Sequence, residues 1–199
     1  MTFKEQMRVT AELMAYLAHD CGLEVVAAGG CARDWLHGRA AKDVDLCVLN
    51  CQAHAAASYE RAVAQVQDHL ETLGDAQDIE VYESYRKGDK PGRLLYCIKF
   101  TYCGVAFDLL SYYSAPSSAQ AQVEEFDANI NMAWAEAEAE GKVLTLKWHQ
   151  MFGDVCSGLQ PIRPTRFNDG PSDERIDYLQ SKYPMYQKSY DYLEIAHAR

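Results

Sequence analysis

The sequence contains no long hydrophobic run, which separates it from membrane-spanning chains. No stretch approaches the ~20 apolar residues that a helix needs to cross a bilayer. Charged residues interrupt the first segment, "MTFKEQMRVTAELMAYLAHD", throughout, so it lacks the apolar centre of a signal peptide. We therefore expect no membrane partner, and the helical spacing of the apolar residues predicts an amphipathic helix instead.

Basic residues are also scarce. The chain has 19 Lys and Arg against 29 Asp and Glu, which gives a formal net charge of −10. Broad, non-specific binding to nucleic acid depends on clustered Lys and Arg, and this composition argues against it. A small basic pocket is still compatible with the charge, as is a nucleotide bound with Mg²⁺, because that ion is itself positive.

The cysteines lack the spacing of a metal site. There are seven of them, an odd number, and no C-x-x-C pair occurs. Several lie in or beside apolar runs that are typical of strands, where buried free thiols are common. This pattern favours reduced, structural thiols over a metal site or a disulfide framework, and it predicts a cytoplasmic location.

The predicted elements alternate at first and then turn mainly to strands. A helix, the strand "LEVVAAGG", the short helix "CARDWLHG", the strand "KDVDLCVL" and a helix ending near Gly74 come first. The strand "DIEVYESY" and a hairpin turning at Cys103–Gly104 follow, then a helix over "ANINMAWAEAEAE", the strand "KVLTL" and a short helix. This order predicts an α+β (α/β-like) fold: a mixed central sheet of about five strands, helices mainly on one face and short C-terminal helices.

The turn-rich stretch "QPIRPTRFNDGPSDE" predicts a domain boundary. We expect one domain over residues 1–159 and a tyrosine-rich helical appendage over 160–199. The tyrosines of the appendage are compatible with three uses: stacking on a base, packing of the final helices, or a homo-oligomer interface.

The stretch "GGCARDWLHGRAAKDVDL", residues 29–46, concentrates glycine, basic and acidic residues between two apolar strands. Side chains alternate along a strand, so Asp43 and Asp45 share one face while Val44 faces the core. Two neighbouring carboxylates repel each other and favour a bound cation, and oxygen ligands favour Mg²⁺ or Mn²⁺. A solvated strand edge is the alternative interpretation of this pair.

Gly29 and Gly30 end one strand and begin a helix, which leaves backbone N–H groups accessible to an anion such as phosphate. Arg33, Arg39 and Lys42 are candidate charge-assisted donors. Taken singly, these residues are also explained by a tight turn and a local Arg–Asp salt bridge. Together they predict a triphosphate whose α-phosphate lies beside a metal on the aspartates.

Asp108 is a single acid within the strand "GVAFDLLSY". It alternates with Phe107 and Leu109, so it lies on the opposite face of the sheet from those two side chains. An acid in such a place is costly unless it has a partner or a function. It is the candidate for the third carboxylate that two bridging metal ions need.

As a whole, residues 29–46 resemble the signature of the polymerase β-type nucleotidyltransferases, specifically the head domain of bacterial CCA-adding enzymes and poly(A) polymerases. That signature runs G-G-x-V-R-D-x-L-L-G-R-x-x-K-D-x-D-L, and this chain departs from it at Ala32 and His37. The matching positions are Gly29, Gly30, Arg33, Asp34, Leu36, Gly38, Arg39, Lys42, Asp43, Asp45 and Leu46.

The resemblance implies that Asp43 and Asp45 bind a pair of catalytic Mg²⁺ ions, with Asp108 as the third carboxylate. It also implies that the glycines and Arg33 hold the triphosphate of an NTP. These assignments agree with the chemistry that the residue types suggest on their own.

A second family segment, close to R-R-D-F-T-I-N-A, is similar to "EFDANINMAWAE". The match makes Asp127 and Asn131 candidate substrate-side residues, but Glu125 and Phe126 replace the arginine pair. The resemblance covers roughly residues 20–160 and does not extend to the family's neck, body and tail domains. Three arginines near acids follow it, which either mimic a base-reading Asp/Arg pair or begin a salt-bridged helix. They are Arg163, Arg166 and Arg175, of which Arg163 and Arg166 are the candidate site residues.

Two functions are compatible with these observations. The first is an enzyme that uses two Mg²⁺ or Mn²⁺ ions to transfer an NMP from an NTP to an acceptor hydroxyl, with release of pyrophosphate. Its acceptor is an RNA end, a protein or a small molecule. The alternative is a catalytically silent nucleotide-binding or partner-binding module of the same fold, of the toxin–antitoxin or viral accessory type.

Overall fold

The computed structural model describes residues 1–49, 59–83, 94–112, 116–138, 142–165 and 172–193. The helices are α1 Phe3–Asp20, α2 Gly30–Leu36, α3 Tyr59–Thr72, α4 Ala119–Val123, α5 Gln150–Cys156 and α6 Asp173–Lys182, with a 3-10 turn at Asn129–Asn131. The strands are β1 Val25–Ala28, β2 Val44–Val48, β3 Ala76–Glu83, β4 Leu94–Tyr102, β5 Val105–Tyr112, β6 Ala133–Ala137 and β7 Leu144–Trp148. The predicted α+β class is confirmed.

The strands form one mixed sheet in the order β3-β4-β5-β2-β1-β6-β7. β2 and β5 run parallel, and the other neighbouring pairs run antiparallel. The predicted hairpin at Cys103–Gly104 joins β4 to β5, and both turn residues have the positive φ that tight hairpins favour. The described sheet has seven strands instead of about five, because β6 and β7 extend it beyond β1.

Helices cover both faces of the sheet, whereas the sequence suggested mainly one. All four residues of β1 are buried, with Val25 and Ala27 in one apolar cluster and Val26 and Ala28 in a second. The first cluster contains side chains of α1 and α3, and the second contains side chains of α4, α5 and α6. A strand that is apolar on both faces needs such cover on each side.

The segment after Asn131 is a strand, so the helix predicted over "ANINMAWAEAEAE" is wrong for the described part of that segment. β6 pairs with β1, with Ala135 opposite Ala27, and with β7 on its other side. Alanine favours helices when a segment is considered alone. Here Ala133 and Ala135 are fully buried, and packing within the sheet outweighs that preference.

The C-terminal part contributes one described helix, α6, where two were predicted. Leu179 and Tyr183 are fully buried in the second cluster. Pro184 then prevents the helix from continuing, and the chain runs on to an isolated parallel bridge between Ile162 and Lys188. The division of the chain at residue 160 stays a prediction.

Six of the seven cysteines lie in the described residues, and each is a free thiol. Burial raises the pKa of the Cys31 thiol well above its usual value, so this sulfur stays protonated and packs as an apolar group. None of the described helices is long and apolar enough to span a membrane.

Gly29 provides a test of the turn from β1 into α2. Its φ of 77° and ψ of −124° lie in a region open mainly to glycine, and an added Cβ would lie 3.2 Å from Cε2 of Phe126. Gly29→Ala should therefore lower the free energy of unfolding by about 2–4 kcal/mol, through strain and overpacking together. Urea denaturation measures the change.

Gly38→Ala is the matched control, because Gly38 also has positive φ but an added Cβ there meets no atom within 4 Å. Backbone strain alone should cost about 1–2 kcal/mol. Equal losses for the two variants would contradict the contribution assigned to the Phe126 contact.

Candidate active site

The paired carboxylates lie where the parallel strands β2 and β5 meet. Leu46 on β2 and Phe107 and Leu109 on β5 are fully buried in the first cluster. Because alternate side chains point to opposite faces, Asp45 and Asp108 point to the other face. The register pairs Asp45 directly with Asp108, on strands about 4.8 Å apart, so the two acids lie side by side.

The pKa of Asp45 reflects its position beside the other acids. Burial raises the pKa of Asp45 to about 7, and the negative charges of Asp43 and Asp108 add to the rise. The positive charges of Lys99 and Arg175 act in the opposite sense and only partly offset it. The acids therefore repel one another more than the described cations compensate, which favours binding of an added cation.

Lys99 on β4 contacts the third carboxylate. Its Nζ lies 2.7 Å from Oδ2 of Asp108, and the two residues are direct partners in the β4–β5 register. Lys99 was not among the site residues predicted from the sequence. The available signal was a lone lysine in the apolar strand "LLYCIKFTY", between the buried Ile98 and Phe100.

The Gly29–Gly30 turn lies at the same end of the central strands as the aspartates. β1 and β2 are antiparallel, with Ala27 opposite Leu46, so the end of β1 lies beside the start of β2. Gly29 is buried against the ring of Phe126, whereas Gly30 is partly exposed at the start of α2. The turn and the acids are thus adjacent, and phosphate binding by the turn stays a prediction.

Arg33 is buried, with 4% of its side chain accessible. Its Nε donates to Oδ1 of Asp34 at 3.1 Å and to the hydroxyl of Tyr183 at 3.0 Å, and its Nη1 donates to Oδ1 of Asn131. These partners engage Nε and Nη1 and fix α2 against the 3-10 turn and the end of α6. Nη2 lies toward the turn, 3.5 Å from the position of a Cβ built on Gly30, and its contact with a triphosphate stays a prediction.

Asp34 makes a second set of contacts between α2 and the end of α6. It accepts hydrogen bonds from the Tyr183 hydroxyl and from Nζ of Lys182, the latter at 2.7 Å. Burial, followed by the bond to Asp34, raises the pKa of Tyr183 above its usual value, so the hydroxyl keeps its proton. His37 adds a contact of 2.8 Å from Nε2 to the Tyr186 hydroxyl. Side chains from distant parts of the sequence thus attach the C-terminal segment to α2.

Asp127 and Asn131 form a chain of hydrogen bonds between two arginines. Asn131 accepts from Arg33 and donates through Nδ2 to Oδ1 of Asp127. Oδ2 of Asp127 in turn accepts from Nε of Arg175 at 2.9 Å. The sequence singled out Arg175 only as an arginine near acids, yet its charge acts on Asp45. This proximity to Asp45 follows from the packing of α6, which the sequence did not predict.

The exposed basic candidates near the turn differ in their contacts. Arg39 is exposed, and its Nη1 donates to the carbonyl of Lys182 at 2.8 Å. Lys42 is exposed directly before Asp43. Of these two, Lys42 is the one whose position in the chain keeps it beside the acids.

Arg163 lies against the C-terminal segment. Its Nε donates to the carbonyl of Asp191 at 3.0 Å, and its backbone N–H donates to Oδ1 of Asn129. None of its described contacts involves the carboxylates of β2 and β5. Arg166 lies outside the described residues.

The donor set fits a divalent cation by type, since Mg²⁺ and Mn²⁺ prefer hard oxygen ligands. It is not a preformed cage: within the described ranges, no group of three His, Cys, Asp or Glu side chains is arranged to hold a metal ion. One oxygen of Asp108 already contacts Lys99. The raised pKa of Asp45 is the observation that fits a cation best, because an added positive charge would lower it.

Asp45 makes stability depend on pH in a definite direction. Its pKa of about 7 exceeds the ~3.9 of an unfolded chain. Between these values the folded protein keeps a proton that the unfolded chain has lost, so the unfolding free energy falls as pH rises. The loss from this group is at most about 1.4 kcal/mol per pH unit.

Asp45→Asn should therefore be more stable than the wild type at pH 8, with the difference shrinking towards pH 4. Urea denaturation across this range measures it, with exposed Asp20→Asn as the control. Millimolar Mg²⁺ should raise the stability of the wild type at pH 8 but not that of Asp45→Asn. A variant no more stable than the wild type at pH 8 would contradict the raised pKa.

Tyr183→Phe tests the attachment of α6 to α2. The change removes the hydroxyl that Arg33 and Asp34 share and leaves both buried charges short of a partner. The expected loss of unfolding free energy is about 1–3 kcal/mol. Tyr178, whose surface is 51% exposed, provides the control Tyr178→Phe, which should stay within about 0.5 kcal/mol of wild type. Similar effects of the two changes would argue against a structural role for the Tyr183 hydroxyl.

No family model matches the sequence, and no curated protein matches it either. Solved structures do resemble the fold. A tRNA-processing enzyme in an apo form gives a TM-score of 0.53 at 18% identity, over 80% of this chain and 37% of that one. A CCA-adding enzyme with CTP gives 0.51 at 16% identity, over 78% of this chain and 32% of that one.

The CCA-adding enzyme of Thermotoga maritima complexed with tRNA_CCA gives a TM-score of 0.50 at 14% identity, over 82% of this chain and 35% of that one. The chain thus spans about a third of the length of these proteins. Identities this low concern the fold alone. Residues 29–46 predicted a resemblance to CCA-adding enzymes, and as a resemblance of fold it is confirmed.

Proposed function

We propose that this chain is a metal-dependent nucleotidyltransferase that transfers an NMP from an NTP to an acceptor hydroxyl and releases pyrophosphate. The observation that carries the proposal is the in-register pair Asp45–Asp108, with Asp43 beside it and the Gly29–Gly30 turn at the same end of the central strands. The fold shared with CCA-adding enzymes supports it. Two of those solved structures contain CTP or tRNA by their names, which is consistent with an NTP substrate.

Asp43 and Asp45 would hold the divalent cation, which when bound supplies positive charge to the phosphate oxygens, and Asp108 lies beside them. The chain's own groups then position the nucleotide. The partly exposed turn at Gly30 offers backbone N–H groups and no side chain to obstruct a phosphate. Lys42 adds a charge next to the acids. Positioning and charge stabilisation carry most of the rate in phosphoryl transfer.

Asp108 is the carboxylate that we assign to the proton of the acceptor. Lys99 fixes its Oδ2, and within the described residues no hydrogen bond occupies Oδ1. The acceptor oxygen forms a bond to the α-phosphorus as the bond from that phosphorus to the pyrophosphate oxygen breaks. The acceptor proton passes to Oδ1 of Asp108, and pyrophosphate leaves with the bonding electron pair.

The chemistry of the site leaves three acceptor classes to be compared: an RNA end, a protein side chain and a small molecule. The net charge of −10 disfavours a long RNA held without a partner.

We place the activity in the cytoplasm, in keeping with the free thiols of the described cysteines. Exposed Tyr178, Tyr190 and Tyr192 are the proposed self-association surface of the C-terminal segment.

One observation favours the silent-module alternative. Protein partners engage Nε and Nη1 of Arg33, and the ring of Phe126 lies against Gly29 where the related motif has an arginine. Both features reduce the number of charged donors available at the phosphate end of the site. A protein that binds nucleotide without transferring it would tolerate this loss better than an enzyme.

Label transfer decides between the two functions. The wild type is incubated with α-labelled NTPs, Mg²⁺ or Mn²⁺, and RNA, protein or small-molecule acceptors. We expect transfer of label with matching release of pyrophosphate. Asp45→Asn and Asp108→Asn should each lower the rate by at least about a hundredfold.

Asp20→Asn, an exposed acid at the end of α1, serves as the control and should keep the wild-type rate. Absence of transfer to every acceptor, together with absence of nucleotide binding, would rule out the enzyme. Nucleotide binding without transfer, unchanged in Asp43→Asn/Asp45→Asn, would favour the silent module.

A further inference from the structure

Four charged residues form a row across four neighbouring strands. Glu80 on β3 is paired with Lys99 on β4, Lys99 with Asp108 on β5, and Asp108 with Asp45 on β2. Side chains at directly opposed positions lie about 4.5–5.5 Å apart at Cβ. The only cation of this row thus lies between acids on both sides.

The position of Lys99 follows from the packing of β4. Its neighbours Ile98 and Phe100 are buried in the first cluster, so the alternation of the strand directs Lys99 to the face that carries the acids. There its Nζ lies 2.7 Å from Oδ2 of Asp108. Asp45 is the next residue of the row, directly opposite Asp108. Lys99 therefore contacts one member of the acid pair and lies two strands from the other.

This contact affects how many metal ions the site can hold. A clamp of two ions needs a carboxylate that bridges them or completes the coordination of the second ion. Asp108, the candidate for that role, has one oxygen committed to an ammonium group. Asp43 and Asp45, in contrast, have no basic group of the described residues within hydrogen-bonding distance of their carboxylates. The observed donors thus suit one ion at Asp43 and Asp45 better than two.

We propose that Lys99 supplies the second positive charge of this site, so that the chain binds one divalent cation where two were expected from the sequence. An ammonium group is suited to this role because it is a compact point charge with three donors on a flexible stem. It can stay on Asp108 or turn towards a phosphate oxygen. This inference rests on the proposed function, and it concerns how the same site is charged.

Counting bound Mn²⁺ tests the inference without relying on activity. Titration calorimetry and the loss of the free-Mn²⁺ resonance signal give the stoichiometry, with and without a non-hydrolysable NTP analogue. The wild type should bind one Mn²⁺ per chain, and Asp45→Asn should bind none. Lys99→Met should bind two Mn²⁺ ions. If the wild type shows a weak second site, the variant should bind the second ion at least about tenfold more tightly. Lys99→Gln repeats the test with a polar side chain.

Lys147→Met is the matched control. Lys147 pairs with Glu136 between β6 and β7, and 47% of its side chain is exposed against 48% for Lys99. It should keep the wild-type count of one ion. These results together support the inference.

Two results would overturn the inference while leaving the proposed function intact: two tight Mn²⁺ ions on the wild type, or an unchanged count and affinity in both Lys99 variants. A wild type that binds no Mn²⁺, even with the nucleotide analogue, would overturn the inference and the proposed function together. Label transfer by the wild type separates these cases, because it reports on the function alone.

Discussion

The parallel pairing of β2 and β5 is the constraint on which the candidate site depends. Leu46 and Leu109 pack into the same cluster on one face of the sheet, and their register places Asp45 beside Asp108 on the other. A shift by one residue would exchange the apolar and acidic faces of a strand. The core therefore holds two like charges together, and their repulsion cannot be relieved by moving the strands apart.

The surroundings of the acid pair can be understood as a response to that repulsion. Lys99 approaches from β4, and Arg175 approaches from α6. Arg175 is held by Asp127, and a chain of hydrogen bonds continues through Asn131 to Arg33 on α2. The charge balance at the sheet thus depends on the attachment of the C-terminal helix, although that helix contributes no strand to the sheet.

The sequence predicted what local rules determine and missed what distant packing determines. Alternation along a strand placed Asp45 on the right face, and the family resemblance predicted the fold. The role of Arg33 was harder to predict, because its partner Tyr183 lies 150 positions away in the sequence. The strand β6 was also missed, since its alanines favour a helix until β1 and β7 enclose them. Lys99 had a visible signal, a lysine in an apolar strand, whose meaning required the β4–β5 register.

The groups around the carboxylates are held in place in two different ways. The groups proposed to act on the nucleotide come from β1, β2 and β5, whose register is fixed by the buried core. The groups nearest to them from the C-terminal segment, such as Arg175, are held by side-chain hydrogen bonds to α2 and the 3-10 turn. Substitutions on the surface of residues 172–193 can therefore alter the charge that acts on Asp45 without changing the β2–β5 register that holds the acid pair.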